Sequence, residues 1–319
     1  MILTVTLNAA IDRTVAVPSF RLGHRHRAVE RRTVAGGKGV NVARALKLLG
    51  RPVIATGLAG GPTGTRILEQ LTEESILNDF TRIADESRTN LAVIDPTSGE
   101  QTEINERGPT VAADEVDRFV EKLLYLAQGA AFCVVAGSIP AGVDASVYGR
   151  LVSELQRLDV SVIVDTDGEP MRAGLRAGPA IVAPNVAEAE EAVGHEFNEP
   201  SDLLLGLQSL IEMGAAEAII TREAGCVAIV GAPSERRRYE VQIEPLDPVS
   251  TVGSGDAFLA GYVAARYQGS SARECLAYGV ACGAESTQHF GAGTLDPEEV
   301  GRVLSRVEVR ELDVPAAVG

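Results

Sequence analysis

The chain has 319 residues, enough for one large α/β domain or two smaller ones, and 45% of them are hydrophobic, which supports an extensive buried core. Its formal net charge of −15, from 29 basic and 44 acidic residues, disfavours a generally basic surface for nucleic acid or anionic membrane. Trp is absent and aromatic residues make up only 4%, so a base-stacking platform is disfavoured too, and an anionic ligand requires a local cationic cluster.

The first residues, Met1-Ile2-Leu3-Thr4-Val5-Thr6-Leu7, read as a strand rather than a leader, because no basic start precedes the apolar run. The strand ends at Asn8-Ala9-Ala10-Ile11-Asp12. Asn8 and Asp12 stand where parallel strands hand over to loops, the usual place for ligands in open α/β sheets, although an Asp there also serves as a plain turn residue. Residues 14–17 alternate as a short strand, and a second strand is expected around 28–34. The loop between them, Arg21-Leu22-Gly23-His24-Arg25-His26-Arg27, supplies the cationic cluster, extended by Arg31 and Arg32. Arginine forks meet phosphate through paired, charge-assisted hydrogen bonds; a solvated basic face is the alternative.

Gly36-Gly37-Lys38-Gly39-Val40-Asn41 breaks the strand, and a helix is expected from about Val40 to Gly50. The run lacks the spacing and the Ser/Thr of a Walker A loop. Its glycines allow close approach to a small polar ligand, Asn41 suits hydroxyls and Lys38 suits an anion. A strand over 53–58 leads into a glycine-rich turn and a helix over about 65–75. Strands over 89–94 and 101–105 flank the turn Asp95-Pro96-Thr97-Ser98-Gly99, with Arg88 at the entrance. Together with residues 14–34 they predict a small β lid beside the main sheet.

From about 110 the alternation becomes regular. Helices are expected over 114–128, 144–157, 170–176 and 201–213, and strands over 131–136, 160–165, 180–183 and 216–221. Such a βαβ run predicts a parallel sheet covered on both faces. An edge hairpin spans 226–243, helices follow near 255–267, 271–284 and 296–307, and the tail after Val314 reads as loose. The four cysteines (Cys133, Cys226, Cys275, Cys282) lack metal-ligand spacing and read as buried small hydrophobes of a reducing compartment. No apolar run is long enough to span a membrane, so a cytoplasmic protein is expected.

The organising stretch is Thr251-Val252-Gly253-Ser254-Gly255-Asp256-Ala257-Phe258. Two glycines beside a helix start bring free N–H groups and a positive dipole end to a ligand, a ready phosphate site. Asp256 is the odd member, since a carboxylate repels phosphate. Either it caps the helix, as Asp does in a first turn, or it takes a proton from an attacking hydroxyl.

The pairing of Gly36-Gly37-Lys38-Gly39-Val40-Asn41-Val42-Ala43 with Thr251–Phe258 resembles the ribokinase-like sugar kinases, and more closely their phosphofructokinase-B group of hexose-phosphate kinases. Thr6–Asp12, Arg88-Thr89-Asn90, Ala136-Gly137-Ser138-Ile139-Pro140 and Gly291-Ala292-Gly293-Thr294 fit the same group, so the resemblance runs through the whole chain in order. It implies one doubly wound α/β domain over 1–319. The lid, formed by about 13–34 and 88–107, is inserted in the core and makes a homodimer.

The resemblance also implies transfer of the ATP γ-phosphoryl group, with Mg²⁺, to a sugar-phosphate hydroxyl. Asp256 would be the base, with Gly253, Ser254 and Gly255 forming the anion hole. Asp12, Gly37, Lys38 and Asn41 would hold the sugar, and Arg88 its phosphate, helped by Arg27. Asn185 would lie on the nucleotide side, and Glu188 would bear indirectly on Mg²⁺. Thr221, Arg222, Gly225 and Ser286 would lie by the nucleotide. Relatives usually have Lys before the Pro-Asn pair, where this chain has Ala183, and the turn at Thr221–Gly225 looks a residue short; Arg222 is the available replacement charge. Fructose 1-phosphate and fructose 6-phosphate are the expected substrates, with tagatose 6-phosphate as the alternative. A non-catalytic sugar-phosphate sensor is the competing class. A dinucleotide oxidoreductase is disfavoured, because no Gly-x-Gly-x-x-Gly follows the first strand.

Overall fold

The computed structural model describes residues 1–312, so the expected loose tail after Val314 lies outside the described residues. In chain order the first part contains β1 (Ile2–Thr6), β2 (Ala10–Ala16), β3 (Glu30–Gly36), α1 (Lys38–Leu48), β4 (Val53–Gly60), α2 (Gly61–Glu73), β5 (Leu77–Ile83), β6 (Arg88–Ile94) and β7 (Gln101–Ile104). Then follow α3 (Ala113–Leu126), β8 (Phe132–Ala136), α4 (Val147–Gln156), β9 (Ser161–Asp165), α5 (Gly168–Arg176), β10 (Ile181–Val182), α6 (Val186–Val193) and α7 (Pro200–Glu212). The last part comprises β11 (Glu217–Arg222), β12 (Gly225–Val230), β13 (Arg237–Gln242), α8 (Ser254–Tyr267), α9 (Ala272–Ser286), α10 (Pro297–Leu304) and β14 (Glu308–Leu312).

Ten strands form one sheet in the order β14-β13-β12-β11-β10-β9-β8-β1-β4-β5. Pairing is parallel from β11 to β5 and antiparallel from β11 to β14. Alternate strand residues face opposite layers. Ile2, Val134 and Ile219 meet Leu46 of α1, Ile67 of α2, Tyr262 of α8 and Leu276 of α9. On the other face Leu3, Val135 and Ile220 meet Phe119 of α3, Leu151 of α4 and Leu207 of α7. The winding direction changes between β1 and β8, and the crevice off their carboxyl ends is where such sheets bind ligands.

A separate four-stranded sheet, β3-β2-β6-β7, forms the lid. Its central pair β2–β6 is parallel and sets Asp12 opposite Asn90, while the flanking pairs are antiparallel. β2 follows almost directly from β1, and β3 runs straight into the glycine loop that opens α1. The lid therefore hangs from the two ends of the site.

Several boundaries differ from expectation. α1 begins at Lys38 rather than Val40, and α2 at Gly61 rather than about 65, because glycines at both turns enter the helix directly. α6 was not expected; a reciprocal cap between Asn185 and Glu188 starts it. β5 and β14 were not expected either. β14 pairs with β13, so the hairpin β12–β13 is internal rather than an edge. Among the described residues no helix is long and apolar enough to cross a membrane.

Candidate active site

α8 is buried almost all round, from Asp256 to Ala265. Small residues permit this. A side chain at Gly261 would run into Cys282 Sγ at 2.6 Å, so α8 and α9 touch closely. Gly253 caps the helix with φ 79°, a left-handed conformation that favours glycine and turns the chain into the helix start. The loop ahead of α8 is shared by two cavities. Ser250 and Val252 line one of about 160 Å³, while Thr251, Ser254 and Gly255 line another of about 600 Å³.

The smaller cavity lies under the lid. Asp12, Asn90 and Arg32 line it from the lid, and Gly291 and Ala292 from the core. Asn90 Nδ2 donates to Asp12 Oδ1 at 2.8 Å, as their opposed register dictates, and Asn90 Oδ1 is buried without a partner among the described residues. A buried acceptor of that kind awaits a donor, such as a sugar hydroxyl. Burial raises the Asp12 carboxyl above its ordinary range, against the Asn90 hydrogen bond and the Arg88 charge. Gly36 is required here: a Cβ on it would lie 1.8 Å from Asp12 Oδ2.

In the first turn of α8 stands Asp256, buried, with Oδ2 accepting from Asn41 Nδ2 at 2.8 Å; it lines neither cavity itself, but the adjoining Ser254 and Gly255 line the larger one. Burial, then the like charge of Asp165, push its carboxyl up to about 7; Lys38 and Asn41 oppose the shift and Asp12 adds to it. A base poised near neutrality beside a helix N-terminus is suited to proton transfer next to developing negative charge.

Lys38 Nζ donates at 2.9 Å to both Asp165 Oδ1 and Glu188 Oε1. Burial works against its charge, but those two carboxylates outweigh it and hold the ammonium well above its ordinary range. Burial also raises the Glu188 carboxyl, opposed by Lys38. Asp165 and Glu188 are hard oxygen donors of the kind Mg²⁺ takes, but Lys38 already neutralises the pair, and among the described residues no group of three or more His, Cys, Asp or Glu is placed to hold a metal ion.

The larger cavity is lined by Asn185, Thr221, Arg222, Gly225, Gly283 and Thr287, among others. Arg222 Nη2 is tied to Glu240 Oε1 at 3.2 Å, yet its Nε is buried with no partner among the described residues. Ser286 does not line this cavity. It is buried and donates its hydroxyl to the Gly283 carbonyl at 2.8 Å, while the next residue, Thr287, faces the cavity.

Arg88 is half-buried, with Nε 3.2 Å from the Asn8 carbonyl and Nη1 3.0 Å from that of Glu106. Arg27 is exposed on the loop between β2 and β3 and lines neither cavity. Of the basic cluster, Arg32 lines the smaller cavity. Sequence reasoning did not single out Asp165, Asn90 or Arg44. Asp165 ends a strand and Asn90 belongs to the Arg88-Thr89-Asn90 motif, which are usable signals; Arg44 emerges only from contacts.

A doubly wound sheet with a lid over a small cavity, adjoining a larger one at a helix N-terminus, is suited to an enzyme that brings two small substrates together, one of them anionic. Residues 3–299 match the family described as pfkB family carbohydrate kinase. A 1-phosphofructokinase of Borreliella burgdorferi is 31% identical over 312 residues, covering 98% of this chain and 99% of its own. One of Rhodobacter capsulatus is 33% identical over 318 residues, covering 98% of each. A solved structure described as a possible 1-phosphofructokinase from Thermotoga maritima superposes with a TM-score of 0.89 at 26% identity, covering 98% of this chain and 100% of that one. The chain belongs to the PfkB family of carbohydrate kinases and is an ATP-dependent sugar kinase.

Proposed function

We propose that the protein is a 1-phosphofructokinase, transferring the γ-phosphoryl group of ATP to the 6-hydroxyl of fructose 1-phosphate to give fructose 1,6-bisphosphate and ADP. The names of its two relatives support this reading, as does the lid cavity with Asp12, Asn90 and Arg32 on its walls. The observation that carries it is the loop 250–255, which lines both cavities and ends at Asp256.

The sugar lies under the lid against Asp12, Asn90, Gly37 and Asn41. Arg88 meets the phosphate it already carries. Arg32 lies in the same cavity, and Arg27 reaches the site of a second copy across a lid-mediated dimer. The lid's exposed Leu22, Val29 and Ile104 are apolar surface suited to that pairing. The nucleotide occupies the larger cavity, beside Asn185, Thr221 and Gly225. The free Nε of Arg222 offers its phosphates the charge that Ala183 lacks.

Asp256 accepts the proton of the attacking hydroxyl. The new oxygen–phosphorus bond forms as the bond to the ADP oxygen breaks, and the N–H groups at Gly253–Gly255 face the transferring group. Mg²⁺ would come with the nucleotide and neutralise its phosphate charge, with Asp165 and Glu188 bearing on it only indirectly. The whole chain acts as one lidded domain in the cytoplasm. An ADP-release assay over fructose 1-phosphate, fructose 6-phosphate, tagatose 6-phosphate and free fructose tests the assignment. Fructose 1-phosphate is expected to show the highest kcat/KM, and a higher value for another sugar would overturn it.

A further inference from the structure

Arg44 is a charged residue with no contact to either cavity, yet it is buried and four features converge on it. Its Nε and Nη2 grip both oxygens of Glu74 at 2.5 and 3.0 Å. Nη2 also donates to the Ala35 carbonyl at 2.7 Å, at the root of the lid. Nη1 reaches the Ala292 carbonyl at 3.4 Å, in the loop that walls the smaller cavity. The same Nη1 donates to Asn41 Oδ1 at 3.2 Å, one helical turn back along α1.

That last contact fixes the orientation of the Asn41 amide. A guanidinium has donors only, so it admits the oxygen of the amide and rejects the nitrogen. With Oδ1 turned toward Arg44, Nδ2 must face Asp256, where it donates at 2.8 Å. Without Arg44 only Asp256 itself orients the amide, and the flipped arrangement, in which Oδ1 accepts from a protonated Asp256, becomes accessible. That arrangement favours the neutral acid, whereas the Nδ2 hydrogen bond favours the anion.

We propose that Arg44 is a positioning residue for phosphoryl transfer: through Asn41 it orients Asp256, and through Ala35 and Ala292 it ties that orientation to the lid root and the sugar wall. This rests on the reading of Asp256 as the base. Glu74 holds the guanidinium in place from the end of α2, with its side chain about one-third exposed.

The test compares Arg44→Lys, Arg44→Met, Glu74→Gln and Asp256→Asn. Each is assayed for kcat and KM across pH with fructose 1-phosphate, alongside thermal unfolding. A charge-assisted hydrogen bond is worth roughly a tenfold effect or more. Arg44→Met is therefore expected to lower kcat roughly tenfold to hundredfold, with a smaller change in the sugar KM. The acidic limb of kcat/KM should also move to higher pH. The charged groups facing Asp256 from its surroundings are Asp165, Lys38 and Asp12; none of them is substituted, although the Arg44 charge also acts to lower the Asp12 carboxyl. Arg44→Lys keeps the charge but loses the fork, and should recover only part of the rate. Glu74→Gln should shift the limb in the same direction by less, which keeps the idea testable if the Arg44 variants do not fold. A purely structural Arg44 would lower the melting temperature while leaving the limb and the kcat of folded protein unchanged, and that result overturns the proposal. If Asp256→Asn abolishes turnover and the Arg44 and Glu74 variants match wild type, the positioning role fails alone. If Asp256→Asn is active, the base assignment fails and the positioning role with it.

Discussion

Replacing Asp256 by Asn separates the carboxylate from the loop that carries it. Asn has the same shape, its Oδ1 still accepts from Asn41, and the Gly253–Gly255 amides and the helix dipole remain. What is lost is the proton acceptor, which is typically worth about 10²- to 10⁴-fold in turnover. Stability should move the other way. Burial and Asp165 push the Asp256 carboxyl from 3.8 up to about 7, so the folded chain binds that proton more tightly than the unfolded chain. Wild-type stability from this group is fully present below about pH 4, declines between about pH 4 and 7, and is lost above about pH 7. Asn carries no such charge. At about pH 8 the variant is expected to be more stable than wild type by on the order of a few kcal/mol, and near pH 4 that advantage disappears. ADP release measured from about pH 5.5 to 9, with urea unfolding at both extremes, gives the two readings. Wild-type kcat/KM should fall about tenfold per pH unit below about 7, and this limb should vanish in the variant. Near-normal turnover, or a stability advantage that grows as the pH is lowered, would refute the reasoning.

Arg88→Ala should raise the KM for fructose 1-phosphate roughly tenfold or more while sparing kcat, as loss of a charged hydrogen bond to a bound phosphate predicts; an unchanged KM removes Arg88 from that role. Gly36→Ala forces the Asp12 carboxylate aside, a crowding that costs about 1–3 kcal/mol, and should weaken sugar-phosphate binding without touching the KM for ATP. Gly255 presents the contrasting case: nothing lies within 4 Å of a Cβ there, so Gly255→Leu should fold normally while raising the KM for ATP by intruding on the larger cavity. Lys38→Met leaves Asp165 and Glu188 facing one another without a cation. With Lys38 about one-third exposed, a loss of about 1–3 kcal/mol is expected in urea unfolding near pH 8, shrinking toward pH 5 as the Glu188 carboxyl, raised by burial, takes up a proton.

The βαβ run was legible because each element carries a local signature: apolar strands end in Gly or Asp, and helices bury one face. The lid was legible for the same reason, in its turn at Asp95–Gly99 and its alternating strands. β14 was not, because Glu308–Leu312 is polar and becomes a strand only by pairing with distant β13. α6 was hidden because Asn185 and Glu188 drew notice as ligand residues, while their mutual cap starts a helix. In the site, the glycine turn and helix start at Gly253–Asp256 could be read from spacing, whereas the base role proposed for Asp256 rests on the family resemblance. Arg44 could not, since an Arg on an amphipathic helix ordinarily faces water and only the fold shows its five hydrogen bonds. Lys38 was read from its glycine loop as suited to an anion, and from the family resemblance as a sugar contact; its partners Asp165 and Glu188 lie 127 and 150 residues away, beyond any local pattern.

The strip from Ser250 to Gly255 is a party wall: Ser250 and Val252 face the smaller cavity, while Thr251, Ser254 and Gly255 face the larger one. A displacement caused by an occupant of one chamber is felt in the other, so the two substrates share a coupling free energy. Linkage makes that coupling symmetrical: the factor by which nucleotide alters the affinity for sugar phosphate must equal the factor by which sugar phosphate alters the affinity for nucleotide. Two pairs of equilibrium titrations, each run with and without a non-reacting occupant of the other chamber, would yield that single number twice.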